Sequence, residues 1–204
     1  MRHVSWLVVA GPLFAGCLFR NTSPPPRFFA PGSAAVDRGA DDDPSFGTGV
    51  PIRLRPVHGT AFLREHIVWR VSAVEYGQYG DRLWSELPAS YVQRALRGTL
   101  SRTPGLRLTS STRAAELRVD VVAFEEVLAP GHAATVALAA SLRDEGGEAR
   151  LDRTFTVSEP IVGDDPAAMA RAMGRALDNA VAAVAAAVAE TVGAGDGLKS
   201  HPPS

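Results

Sequence analysis

The chain has 204 residues, 21 basic and 22 acidic side chains, a formal net charge of −1 and one cysteine. That length fits one domain with tails. A near-neutral charge without an arginine/lysine stripe excludes a nucleic-acid footprint, and a single cysteine excludes both an intramolecular disulfide and the cysteine spacing of a structural zinc site.

At the N-terminus, Arg2 and His3 precede an apolar stretch from Val4 to Ala15 that only Ser5, Gly11 and Pro12 interrupt. About a dozen helical residues rising about 1.5 Å each cannot cross a hydrocarbon core of about 30 Å, so the stretch reads as a targeting signal. Leu13, Phe14, Ala15, Gly16 and Cys17 resemble a bacterial lipobox, with Phe14 standing where leucine is usual. Small residues there admit the signal peptidase, and the cysteine becomes the first mature residue. The alternative is a signal peptide cut elsewhere beside an incidental cysteine. On the lipobox reading, Cys17 carries an N-acyl diacylglyceryl group, whose buried methylenes contribute about 0.8 kcal/mol each to membrane anchoring. No other cofactor is expected. Leu18 stands where inner-membrane lipoproteins commonly have aspartate, so the same resemblance implies the outer membrane.

The chain then divides into a signal peptide (1–16), the lipidated Cys17 with a proline-rich tether (17–26), a folded domain (27–193) and a flexible tail (194–204). Asn21 to Pro26 favours an extended polyproline II tether. "RFFAPGSA" can start a first strand with Phe28 or Phe29 inward, and "VDRGADDDPSFGTG" reads as a flexible loop. Asp41, Asp42 and Asp43 lack the spaced ligands and glycine of a calcium loop.

In "VPIRLRPV", Ile52 and Leu54 alternate with Arg53 and Arg55, which predicts a strand. "HIVWRVSAVEYGQY" continues the alternation, and Gly77 and Gly80 mark a turn, so a second strand is expected to run into an aromatic loop from Tyr76 to Trp84. Pro88 suits a first helical turn, and Tyr91, Ala95, Leu96 and Leu100 recur at helical spacing, predicting a helix over 88–102. Three more strands follow in "ELRVDVVAFEEV", "ATVALAASLRD" and "EARLDRTFTVSE", the last two joined by a hairpin at Glu145 to Glu148. Asp165 is a natural N-cap with Pro166 behind it, and Gly193 is a natural stop. Met169, Met173, Leu177, Val181, Val184, Val188 and Val192 form one apolar stripe, so this helix of about 26 residues reads as lying on a sheet and not as a membrane span.

No GxSxG, Walker A, HExxH or strand-to-helix GxGxxG motif is present. His58, His66 and His132 are scattered, and Glu125 and Glu126 are adjacent on a strand, so they point to opposite faces. No catalytic residue and no metal site is assigned. Tyr76, Tyr79 and Trp84, close to Trp69, are candidate partner-binding residues, because Tyr and Trp combine an apolar body with a polar tip; core packing is the competing reading.

In order and spacing, the lipobox at Cys17, "RFF", "IRLRPV", "IVWRVSAVEYGQYGDRLWSELP" with its helix, the three long strands and the Ala-rich C-terminal helix resemble the ABC-type transport auxiliary lipoproteins. Among these is the lipoprotein subunit of the paraquat-inducible membrane-integrity system. The resemblance implies an α/β (α+β) fold, a mostly antiparallel sheet packed against two helices. It also implies a non-enzymatic subunit, anchored in the outer membrane and facing the periplasm. Its partners would be an MCE-domain protein, a permease and an ATPase that together move lipids between membranes. Homo-oligomerisation is left open. A lipoprotein that assembles or plugs an outer-membrane or cell-wall complex shares the same features, and an exported hydrolase would need a nucleophile and base that the sequence does not supply.

Overall fold

The computed structural model describes residues 25–38 and 49–199. Cys17 with its leader, most of the tether and Asp41 to Asp43 lie outside these residues. In chain order the elements are β1 (Arg27–Phe29), α1 (Ala34–Arg38), β2 (Val50–Leu54), β3 (His58–Gly59), β4 (His66–Arg70), β5 (Tyr76–Trp84) and α2 (Pro88–Arg102). They continue with β6 (Leu106–Leu108), β7 (Ala115–Val127), β8 (Ala133–Arg143), β9 (Ala149–Pro160) and α3 (Pro166–Lys199).

The sheet is organised by β7, whose alternating Leu117, Val119 and Val121 are all buried, opposite Leu142, Ala140 and Leu138 of β8. The β7–β8 and β8–β9 ladders are antiparallel and long, so antiparallel pairing dominates the sheet by length. Along its other edge β7 receives β2, β3 and β4 in succession, each as a short parallel pair. β6 adds to β2, β5 adds to β4 in antiparallel fashion, and β1 adds to β5 in parallel. A register shift between Val121 and Ala123 leaves Val122 outside and turns Phe124 and Glu126 to the core face, opposite the buried Val136 and Ala134.

The helices cover that face. α2 begins at Pro88 as its sequence predicts, without a side-chain cap. The Tyr91 hydroxyl holds the turn ahead of it, accepting the Glu86 amide at 3.1 Å and hydrogen-bonding Ser85 Oγ at 2.8 Å. At α3, Asp165 Oδ1 accepts the Ala167 amide at 3.1 Å, as an N-cap should. From Met169 to Val188 the predicted stripe is fully buried against the sheet. By length and composition α3 could cross a membrane, and here that apolarity is spent on the core.

Three expectations are corrected. α3 continues through Gly193 to Lys199, so residues 194–199 are helical. Tyr76 to Trp84 is a nine-residue strand, not a loop. A third helix, the five-residue α1, occupies part of the expected flexible loop, because a strap from Arg27 to Arg38 is fastened to α3. There the Gly32 amide donates to the Ala170 carbonyl at 3.3 Å, and Gly174 lets the strap approach, since a Cβ at that position would collide with the Gly32 carbonyl.

Candidate functional site

β5 carries two of the three predicted contact residues to different faces. Tyr76 pairs with Arg70 across the β4–β5 ladder, while Gly77 pairs with Trp69. The Trp69 indole lies so close over Gly77 that a Cβ there would sit 2.6 Å from its ring, so the strand glycine is needed under an aromatic lid. The intervening turn is closed by the Val71 amide to the Glu75 carbonyl at 3.0 Å and by Ser72 Oγ, which accepts the amides of Val74 and Glu75.

On the outer face, the Arg70 guanidinium stacks on Tyr76 with its carbon 4.8 Å from the ring centroid, and Phe62 meets Tyr76 edge-on at 5.1 Å. Arg70 also donates to Glu125 from Nε at 2.5 Å and from Nη2 at 3.1 Å. Glu125 is buried, and its hydrogen bond raises the Arg70 pKa further above its ordinary value, against the opposing effect of burial. A buried carboxylate thus fixes the cation, and the cation fixes the ring. Tyr76 is 49% exposed, Phe62 39% and the adjacent Val74 89%, which makes this an accessible, preorganised aromatic patch.

On the inner face, Glu126 meets His132 Nε2 at 2.5 Å and Arg82 Nη1 at 3.8 Å, and Arg82 stacks on Tyr79 at 4.1 Å. The Tyr79 hydroxyl is pushed up to about 12, first by burial and then by the neighbouring Glu126 carboxylate, with Arg82 opposing. The adjacent Glu125 and Glu126 therefore serve opposite faces, as their strand positions predict. His66 Nδ1 is tied to the Tyr79 carbonyl at 2.8 Å. Among the described residues, no group of three His, Cys, Asp or Glu side chains is placed to hold a metal.

Trp84 departs from its expected role. It is 1% exposed and packs edge-on against Tyr91 at 6.3 Å and Phe124 at 5.2 Å, deep in the core. The structure therefore leaves Tyr76 on the surface, half-buries Tyr79 and encloses Trp84; the three do not converge. Sequence reasoning missed Arg70, Phe62 and Glu125 as members of the patch. Reading Val71 to Glu75 as the hairpin turn would have placed Arg70 opposite Tyr76.

Comparison with known proteins bears on the fold and the family. The model of a family described as "ABC-type transport auxiliary lipoprotein component" matches residues 40–185. The crystal structure of protein XCC0632 from Xanthomonas campestris superposes with a TM-score of 0.68 at 21% identity, covering 84% of this chain and 99% of that one. The hypothetical protein CT253 from Chlamydia trachomatis superposes with a TM-score of 0.53 at 9% identity, covering 71% of this chain and 98% of that one. At such identities the likeness concerns the fold alone. No curated protein matches the chain.

Proposed function

The chain belongs to the ABC-type transport auxiliary lipoprotein family, and we propose that it serves a lipid transporter of the ABC/MCE type as a non-catalytic docking subunit. In this reading Cys17 is lipidated and holds the domain to the outer membrane, facing the periplasm. The ten residues from Cys17 to Arg27 reach at most about 35 Å when fully extended, which keeps the domain close to its bilayer. The partner is an MCE-domain protein working with a permease and an ATPase.

The observation that carries the proposal is the exposed Phe62–Tyr76–Arg70 patch held from beneath by the buried Glu125. A rigid aromatic with a polar tip loses little conformational freedom on binding, which is what a docking centre requires. The test combines mass spectrometry of the mature N-terminus with crosslinking in intact envelopes. A first residue Cys17 bearing three acyl chains, with crosslinks from the patch to an MCE-domain protein, supports the assignment. An unmodified thiol behind a retained leader overturns the anchor. Crosslinks confined to a barrel or cell-wall protein overturn the partner in favour of an assembly role.

A further inference from the structure

At the other end of β7 from Tyr76, a cleft of about 480 Å³ opens between β2, α2 and the segment after β6. Three arginines, Arg53, Arg55 and Arg97, line it. Arg53 is paired with Glu116, but that carboxylate also accepts Arg118 Nε at 2.6 Å. Two guanidinium groups share one carboxylate, and the Glu116 pKa is held below its ordinary value, chiefly by Arg118. Arg55 and Arg97 are both exposed, and among the described residues neither has a carboxylate within ion-pair distance. Among the described residues the positive charge of the cleft is therefore only partly compensated, by Glu116, and a concave wall concentrates its field.

Unused donors accompany the charge. Arg53 Nε is buried without a hydrogen-bond partner among the described residues, so Arg53 faces the cleft only through the rest of its guanidinium group. Thr109 and Ser110 add hydroxyls to the wall, and Thr109 Oγ1 already accepts the Ser111 amide at 3.2 Å, leaving its proton to donate. Leu54 and Leu108 contribute an apolar side to the same cleft.

We infer that this arginine cleft binds a phosphate group. The two exposed guanidinium forks of Arg55 and Arg97, with Arg53 already shared with Glu116, and two hydroxyls present more donors than the two oxygens of a carboxylate can satisfy, whereas a phosphate offers three or four acceptor oxygens in a tetrahedral array. The phosphate is either free or the headgroup of an amphiphile whose apolar part rests on Leu54 and Leu108. The inference depends neither on Cys17 nor on the Tyr76 patch.

Isothermal titration of the detergent-solubilised full chain with inorganic phosphate, and separately with dihexanoyl phosphatidic acid, tests it. Saturable binding is expected, weakening with added salt. Arg55→Ala and Arg97→Ala should each weaken binding about tenfold, the equivalent of one lost charged hydrogen bond. Arg64→Ala, an exposed change outside the cleft, should leave it unaltered. Tighter binding of the lipid analogue, with the same arginine dependence, assigns a headgroup; equal binding assigns free phosphate. Absence of saturable binding by both probes, or binding indifferent to Arg55→Ala and Arg97→Ala, overturns the inference.

Discussion

Ser33 Oγ donates to Asp178 Oδ1 at 2.6 Å, joining the residue before α1 to the middle of α3 across 145 positions of sequence. The same carboxylate accepts the amides of Ala34 and Ala35 at 3.0 Å each, so α1 is capped by another helix. Ser33 itself is fully buried, and its Oγ accepts the Val36 amide at 3.1 Å.

Asp178→Ala should therefore lower stability by about 1–3 kcal/mol, since it removes the cap and strands a buried hydroxyl. Urea unfolding measures the change. An unaltered midpoint would show that the strap contributes nothing to the fold.

Gly174→Ala addresses the same strap by sterics. The new methyl has no room beneath the Gly32 carbonyl, so either the strap lifts or α3 shifts, at a cost of about 1–3 kcal/mol. Limited proteolysis should cut near residues 25–38 in the variant well before it does so in the parent. Equal cutting rates would refute the close approach.

Burial, with the Glu126 carboxylate beside it, pushes the Tyr79 hydroxyl up to about 12 from the ordinary tyrosine value of 10.0, so folding favours its neutral form. Its contribution is intact below about pH 10 and is lost as the pH rises through about 12, because the unfolded chain releases this proton first. Tyrosinate absorbance of the folded protein should contain a late step that disappears in Tyr79→Phe. Persistence of that step in the variant would assign it elsewhere.

Tyr76→Ala and Trp84→Ala separate docking from packing. Tyr76→Ala should reduce capture of the proposed MCE-domain partner several-fold while leaving thermal unfolding nearly unchanged, because half of its surface is already in water. Trp84→Ala should cost about 3–5 kcal/mol through the cavity left beside Tyr91 and Phe124. Normal capture by Tyr76→Ala would remove the patch from the docking assignment.

What the sequence disclosed follows the range of the forces involved. The 88–102 helix was readable because Pro88 and the Tyr91–Ala95–Leu96–Leu100 spacing act within one element, and β7, β8 and β9 because each is long enough to hold an alternating run, such as Leu117, Val119 and Val121 ahead of the register shift in β7. β3 and β6 have two and three residues, too few for a period to register. α1 depends on a carboxylate that lies far away in the chain. Gly77 resembled a turn residue because the indole that makes glycine necessary there belongs to the neighbouring strand. Trp84 was grouped with Tyr76 and Tyr79 by nearness in sequence, although the strand carries it into contact with α2 and β7. The arginine cleft was invisible for a related reason: Arg53, Arg55 and Arg97 come from β2, its trailing segment and α2, which only the tertiary fold brings together.

The parallel pairing of β1 with β5 has a mechanical consequence. Arg27, Phe28 and Phe29 lie beside Arg82, Leu83 and Trp84, and the Phe29 carbonyl accepts the Ser85 amide at 2.8 Å. A tug along the strand toward residue 26 loads these bonds together in shear, whereas a sideways pull would open them one by one. The seam between β1 and β5 thus has a strong direction and a weak one.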